Sequence, residues 1–230
     1  MKKLLVATTV AMALSATAHA ADSTAQLKVQ GVLTNDACTP TLSGGTTIDF
    51  GTFFVDSLSS TATNQLGHKD TSLSITCSSP TKVSWSIEDN VGDVADIDIL
   101  NAGFSGGNVY GGGVALDAHF GVGKTAGGVA IGSYAVALNK HNATADGVAS
   151  NVSSASDGEV WTLFFPTGSY DYVRVSPYQF AFGDNDAKPI AFTNAVFPLR
   201  IALAVEKTST LAITDDTPIA GQATITLHYL

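Results

Sequence analysis

Apolar and polar residues alternate in short runs along most of this chain, and helical periodicity is not sustained anywhere. The last seven positions before Leu230 illustrate it. Ala223, Ile225, Leu227 and Tyr229 fall on one side, and Thr224, Thr226 and His228 on the other. A period of two predicts a strand with one buried face. The same pattern predicts strands at 26–34, 46–55, 72–77, 82–87, 114–121, 133–138, 160–166, 174–182 and 195–205. Stretches such as SGG, GDND and TDDTP separate them as turns. Many short strands with Gly- and Ser-rich turns predict an all-β antiparallel sandwich.

Two segments break the alternation. Residues 101–113, NAGFSGGNVYGGG, hold six glycines, and residues 139–157 are rich in Ala, Asn, Ser and Asp. Neither is flanked by two independent cores. Both are read as insertions, near 88–160, within a single domain at 35–230.

The first residues set the compartment. Lys2 and Lys3 precede an apolar run to about Leu14, followed by Ala18-His19-Ala20. This is the layout of a secretory signal peptide, cleaved after Ala20. The signal takes two of the 11 Lys and Arg and none of the 20 acidic residues, so the mature chain carries nine basic against 20 acidic residues, a net −11. Such a chain is a poor partner for nucleic acid or anionic lipid. In an exported protein, the two cysteines Cys38 and Cys77 read as a disulfide.

Three stretches suggest chemistry. GFSGG at 103–107 fits the G-x-S-x-G nucleophile elbow around Ser105, yet the NVYGGG after it cannot form the helix that motif needs. GVGKT at 121–125 has Ala118 where a phosphate-binding loop needs glycine. GDND at 183–186 and the carboxylates Asp93, Asp96 and Asp98 lack the spacing of a calcium loop. Trp85, Trp161, Tyr170, Tyr172 and Tyr178 could line a sugar site, but in a sandwich such rings more often pack the core or an edge. The expectation is therefore no enzyme, no catalytic residue, no metal and no cofactor.

The two ends give a different explanation. Ala25, Leu27 and Val29 alternate with Gln26, Lys28 and Gln30, so the segment at 21–34 is also strand-like. It and the strand at 223–229 can satisfy each other's missing pairing. A strand supplied in trans pairs the backbone and fills a groove with alternate side chains.

The quoted segments resemble chaperone–usher fimbrial subunits. LKVQGVLTNDAC, with Gly31, Val32, Leu33, Asn35 and Cys38, resembles the opening of such pilins. TTIDFGTFFVDSL, with Gly51, and LGHKDTSLSITC, ending at Cys77, resemble their next strands. QATITLHYL resembles their C-terminal strand with its penultimate tyrosine, Tyr229. The match covers both ends and the two cysteines, and the middle of the chain resembles a less characterised branch of fimbrial-like exported proteins of Gram-negative bacteria.

The resemblance implies an immunoglobulin-like sandwich of pilin type, incomplete by one strand. It implies a donor strand with Ala25, Leu27 and Val29, and a groove beside a C-terminal strand with Ala223, Ile225, Leu227 and Tyr229. A periplasmic chaperone first lends the missing strand and grips the Leu230 carboxylate. At the outer-membrane usher a neighbouring pilus subunit replaces it. The expected product is a fimbrium on the cell surface, reached through the periplasm and supporting adhesion, with a host or surface glycan as a further partner. The alternative is an exported adhesin or carbohydrate-binding β-sandwich that stays monomeric.

Overall fold

The computed structural model describes residues 37–112, 116–164 and 172–230. These residues fall in one compact unit, Asp36–Leu230. The expected signal peptide and the strand at 26–34 lie outside the described residues, as does Tyr170.

Two antiparallel sheets form the molecule, as the alternation predicts. In chain order the strands are β1 (Cys38–Leu42), β2 (Asn64–Thr81), β3 (Val83–Asp89), β4 (Phe120–Gly121), β5 (Gly132–Leu138), β6 (Thr144–Ala145), β7 (Val148–Ala149), β8 (Asn151–Ala155), β9 (Thr162–Leu163), β10 (Gln179–Gly183), β11 (Phe192–Val205) and β12 (Ala223–Tyr229). The larger sheet has seven strands in the order β1-β2-β11-β5-β4, with β6 also on β11 and β7 on β6. The smaller has five, in the order β12-β3-β10-β8-β9. Among the described residues no helix is long and apolar enough to cross a membrane.

Inward positions of both sheets share one core. Trp85 of β3 is fully buried at its centre, with ring centroids of Phe180 at 5.0 Å and Phe197 at 5.7 Å. Phe182 stacks on Phe197 at 4.4 Å. Leu73, Ile75, Val136 and Leu199 complete the layer from the larger sheet. Burying these side chains stabilises the sandwich by about 1.5–3 kcal/mol each.

The larger sheet is also covered on its outer face. There Ala135, Ala137, Ala202 and Ala204 meet Ala95, Ile97, Ile99 and Val109 of the insertion in a second core. Alanines stand here because the insertion's backbone lies close to the strands. Ser133 Oγ takes the amide of Ala95 at 2.8 Å and donates to its carbonyl at 2.9 Å. Arg200 clamps the glycine-rich turn. Its guanidinium lies 4.4 Å from the Phe104 ring centroid, bonds Asp70 at 2.7 and 2.9 Å, and donates to the Gly103 carbonyl at 3.3 Å. The hydrogen bond from Arg200 holds the Asp70 carboxyl below its usual range.

Several strand expectations change. The expected strand at 114–121 shrinks to β4, because residues Leu116–Ala118 form a 3-10 turn. That at 174–182 shrinks to β10. Pro177 has no amide to give a ladder, and Tyr178 closes a turn onto the Val175 carbonyl. Of that at 160–166, residues 162 and 163 form β9, paired with β8, while 165 and 166 lie outside the described residues. Within the soft segment at 139–157 lie β6, β7 and β8. Ala145 of β6 and Val152, Ser153 and Ala155 of β8 are buried, so packing supplies the stability that the composition of these two strands lacks.

Gly132 faces Val205 in the β5–β11 register. A Cβ there would meet the Ala204 carbonyl oxygen and lie 2.8 Å from the Val205 Cα. Gly132→Val is expected to destabilise the fold by about 1–3 kcal/mol, lowering the melting temperature by roughly 2–12 °C in a circular-dichroism melt.

Candidate functional site

The edges of the two sheets, β1 and β12, run together at one end and part at the other. At the closed end one hydrogen bond joins the two edges, and a disulfide and a backbone bond anchor each edge to its own sheet. Cys38 and Cys77 stand opposite each other in the β1–β2 register and form a disulfide. The Cys38 amide donates to the Tyr229 hydroxyl at 2.9 Å, and the Leu230 amide to the Lys82 carbonyl at 3.1 Å.

At the open end the edges leave a groove of about 590 Å³. Leu42, Ile48 and Phe50 form one wall, and Ile219, Ala223 and Ile225 the other. The floor belongs to the sandwich core: Ile87, Val136, Leu199, Ile201 and Leu203. Tyr134 closes the far end, stacked on Phe120 at 4.9 Å. Burial, and then the Asp89 carboxylate, push the Tyr134 phenol up, so it stays neutral.

The first wall corrects an expectation. Residues 46–55 do not form a strand; an extended run leads into the short 3-10 turn Val55–Ser57. The alternation survives, since Ile48 and Phe50 are half-buried while Thr47 and Asp49 are exposed. What it lacks among the described residues is a partner strand. A strand is defined by its ladder, and alternation alone does not supply one. Gly51 takes a positive φ of 82°, and its amide donates to Asp49 Oδ1 at 2.7 Å.

The second wall is β12, paired with β3 from Ala223↔Asp89 to Tyr229↔Val83. It is the last strand of its sheet, so its other edge has no strand neighbour among the described residues. The four residues singled out on it divide. Ala223 and Ile225 line the groove. Leu227 packs against the main core. Tyr229 is 53% exposed and pins β1 through its hydroxyl, so it fastens the closed end. The expected donor residues Ala25, Leu27 and Val29 lie outside the described residues. Sequence reasoning missed Ile219 and the floor strand β11 as groove residues. The floor is written as inward positions of a strand predicted only for the core.

The remaining candidates lie in turns, a hairpin and buried hydrogen bonds. Ser105 lies exposed in a turn closed by the Gly106 amide on the Gly103 carbonyl. Lys124 pairs with Asp93 at 2.7 Å, in a hairpin where Lys124 faces Ala130. Asp98 accepts the amide of Gly111 at 2.9 Å, and Asp96 that of Gly112. Asp184 closes its own turn by accepting the amides of Asp186 and Lys188. Buried His119 bonds the Ile97 carbonyl at 3.0 Å, and His228 bonds Ser86 at 2.8 Å.

Known proteins resemble this one along its length. A family model described as "Protein of unknown function (DUF1120)" matches residues 27–135. The chain is similar to two proteins of Escherichia coli (strain K12). It is 29% identical over 246 residues to "Uncharacterized protein YhcF", covering 99% of this chain and 98% of that one. It is 28% identical over 253 residues to "Protein GltF", covering 100% and 99%. Both likenesses therefore extend over the groove and the insertion.

Cys38 and Cys77 are 39 residues apart, and closing a loop of that size is worth about 4 kcal/mol in the chain-entropy model. Replacing both cysteines by alanine should lower the urea midpoint accordingly. β1, the edge strand that the disulfide ties to β2, should become the first segment cut in limited proteolysis.

Proposed function

We propose that this chain is a structural, non-enzymatic subunit of a fimbrial-like assembly, exported through the periplasm and joined to its neighbours by strand donation. The observation that carries the reading is the apolar groove flanked, among the described residues, by 46–54, which has no ladder partner, and by β12, which is paired on one side only. Unpaired strand edges and uncovered core side chains are each unfavourable in water. One added strand would relieve both at once.

The segment at 21–34 has the chemistry of such a strand. Leu27 and Val29 present medium-sized apolar side chains at a period of two, with Ala25 as a smaller one. Each medium-sized side chain transferred into the groove contributes about 1.5–3 kcal/mol. The backbone ladder adds about 0.5–1.5 kcal/mol per bond. Donation from one copy into the next is a head-to-tail contact that does not close on itself, which gives a fibre. A periplasmic chaperone would occupy the groove before assembly, gripping the Leu230 carboxylate through charge-assisted hydrogen bonds, and an outer-membrane usher would exchange the strands. The disulfide suits an oxidising, exported setting. A monomeric sandwich would need this groove filled within one chain.

Three chains exported without a chaperone test the proposal. They are residues 21–230, residues 35–230, and residues 35–230 with 21–34 joined after Leu230 by a flexible linker. The third is expected to be a soluble, stable monomer, the second to be degraded, and the first to polymerise or be lost. A second chain that is already a stable monomer would show a complete sandwich and end the strand-donation reading.

A further inference from the structure

A second cavity, of about 430 Å³, opens between the insertion, the segment 172–178 and the edge of the smaller sheet. It shares no lining residue with the groove. Its size lies within the roughly 300–1,000 Å³ of small-molecule sites. Two kinds of group line it. Tyr110, Tyr178 and Phe164 supply ring surface above the buried Phe180, while Asn108, Asp117 and Arg174 supply polar groups.

These groups are held in place before any ligand arrives. Tyr110 is 57% exposed, which is unusual for a large ring beside a cavity. Its hydroxyl accepts from Asn108 Nδ2 at 3.3 Å. The backbone between them is pinned, because Val109 exchanges two hydrogen bonds with Ile99 at 2.8 and 2.9 Å. Arg174 Nη1 donates to the Tyr178 hydroxyl at 2.8 Å, and its guanidinium lies 4.9 Å from that ring's centroid. Arg174 Nε faces Asp117 Oδ2 at 3.4 Å, and the Asp117 carbonyl accepts the Val175 amide at 2.7 Å. The Asp117 and Arg174 side chains remain 35% and 50% exposed, so both keep hydrogen-bonding capacity for a ligand.

The chemistry of this lining selects a ligand class. The carboxylate and guanidinium cancel, leaving no net charge to attract an anion or a cation. A wholly apolar ligand would cover Asp117, Arg174 and Asn108 without offering them partners, which is costly. The fitting ligand has apolar faces for the rings and a rim of uncharged hydroxyls for the polar groups. A pyranose ring has this shape. Its C–H faces lie against aromatic faces, and its hydroxyls donate and accept around the edge. We infer that this cavity is a binding site for a neutral pyranose saccharide, with Tyr110 and Tyr178 as ring surfaces and Asn108, Asp117 and Arg174 as hydroxyl partners.

The test is ligand-observed NMR saturation transfer on the mature chain, residues 21–230. The probes are the methyl pyranosides of glucose, mannose, galactose, fucose and N-acetylglucosamine, with sialyl-lactose as the charged comparison. At least one neutral glycoside should bind saturably. Tyr110→Ala and Asp117→Asn should each weaken it by about tenfold, with unchanged melting temperatures. Ile201→Thr in the groove floor should leave binding unchanged, which separates this site from the strand-donation reading. Absence of saturable binding by every neutral glycoside would overturn the inference. So would binding that survives Tyr110→Ala, or sialyl-lactose binding as tightly as the best neutral probe.

Discussion

Among the described residues, a backbone hydrogen-bond deficit runs along two edges of one groove. In a sandwich each strand satisfies its amides and carbonyls on a neighbour, and an edge strand satisfies only half of them. Here the two deficient segments, 46–54 and β12, flank the same apolar groove, with core residues such as Leu199 and Ile201 as its floor. Water can solvate the unpaired backbone but not the floor. One occupant, a strand with alternating apolar side chains, answers both needs. The Cys38–Tyr229 hydrogen bond joins the two edges at the far end, and the disulfide anchors β1 to β2 there.

The insertion solves a second burial problem with different means. It gives the larger sheet a covering layer on the face turned away from the smaller sheet. That face is written in alanine on β5 and β11, because insertion backbone and small side chains meet there at short range. Arg200, stacked on Phe104 and bonded to Asp70 and the Gly103 carbonyl, ties the glycine-rich turn to the strand beneath it. A segment that reads as loose in composition is thereby fixed, and it places Asn108, Tyr110 and Asp117 around a cavity apart from the groove.

The fold class was legible because period-two alternation is a direct record of which face is buried. β3, β5, β11 and β12 all lie within a residue or three of their expected bounds. Pairing was less legible, since alternation states a face and not a neighbour. The run Thr46 to Val55 therefore read as a strand although it has no ladder. The small strands β6 and β7 were missed, although Asp146-Gly147 joins them with positive φ at both positions, 50° and 79°. Two-residue hairpin turns favour that Asp-Gly pair. The wall residues Ala223 and Ile225 could be read from the terminal alternation. The floor could not, because a groove floor and a closed core are written with the same residues. The second cavity was visible only as isolated tyrosines, since residues from three separate segments build it.

Strand donation requires the edges at 46–54 and β12 to stay open until another strand fills them. Residue-resolved amide hydrogen exchange on residues 21–230, compared between monomeric and assembled protein, tests it most directly. Strand donation predicts fast exchange along 46–54 and at the outward-facing amides of β12 in the monomer, slowed by at least about tenfold on assembly. Equal protection of these amides in the monomer would mean that the groove is already filled, and would contradict the account.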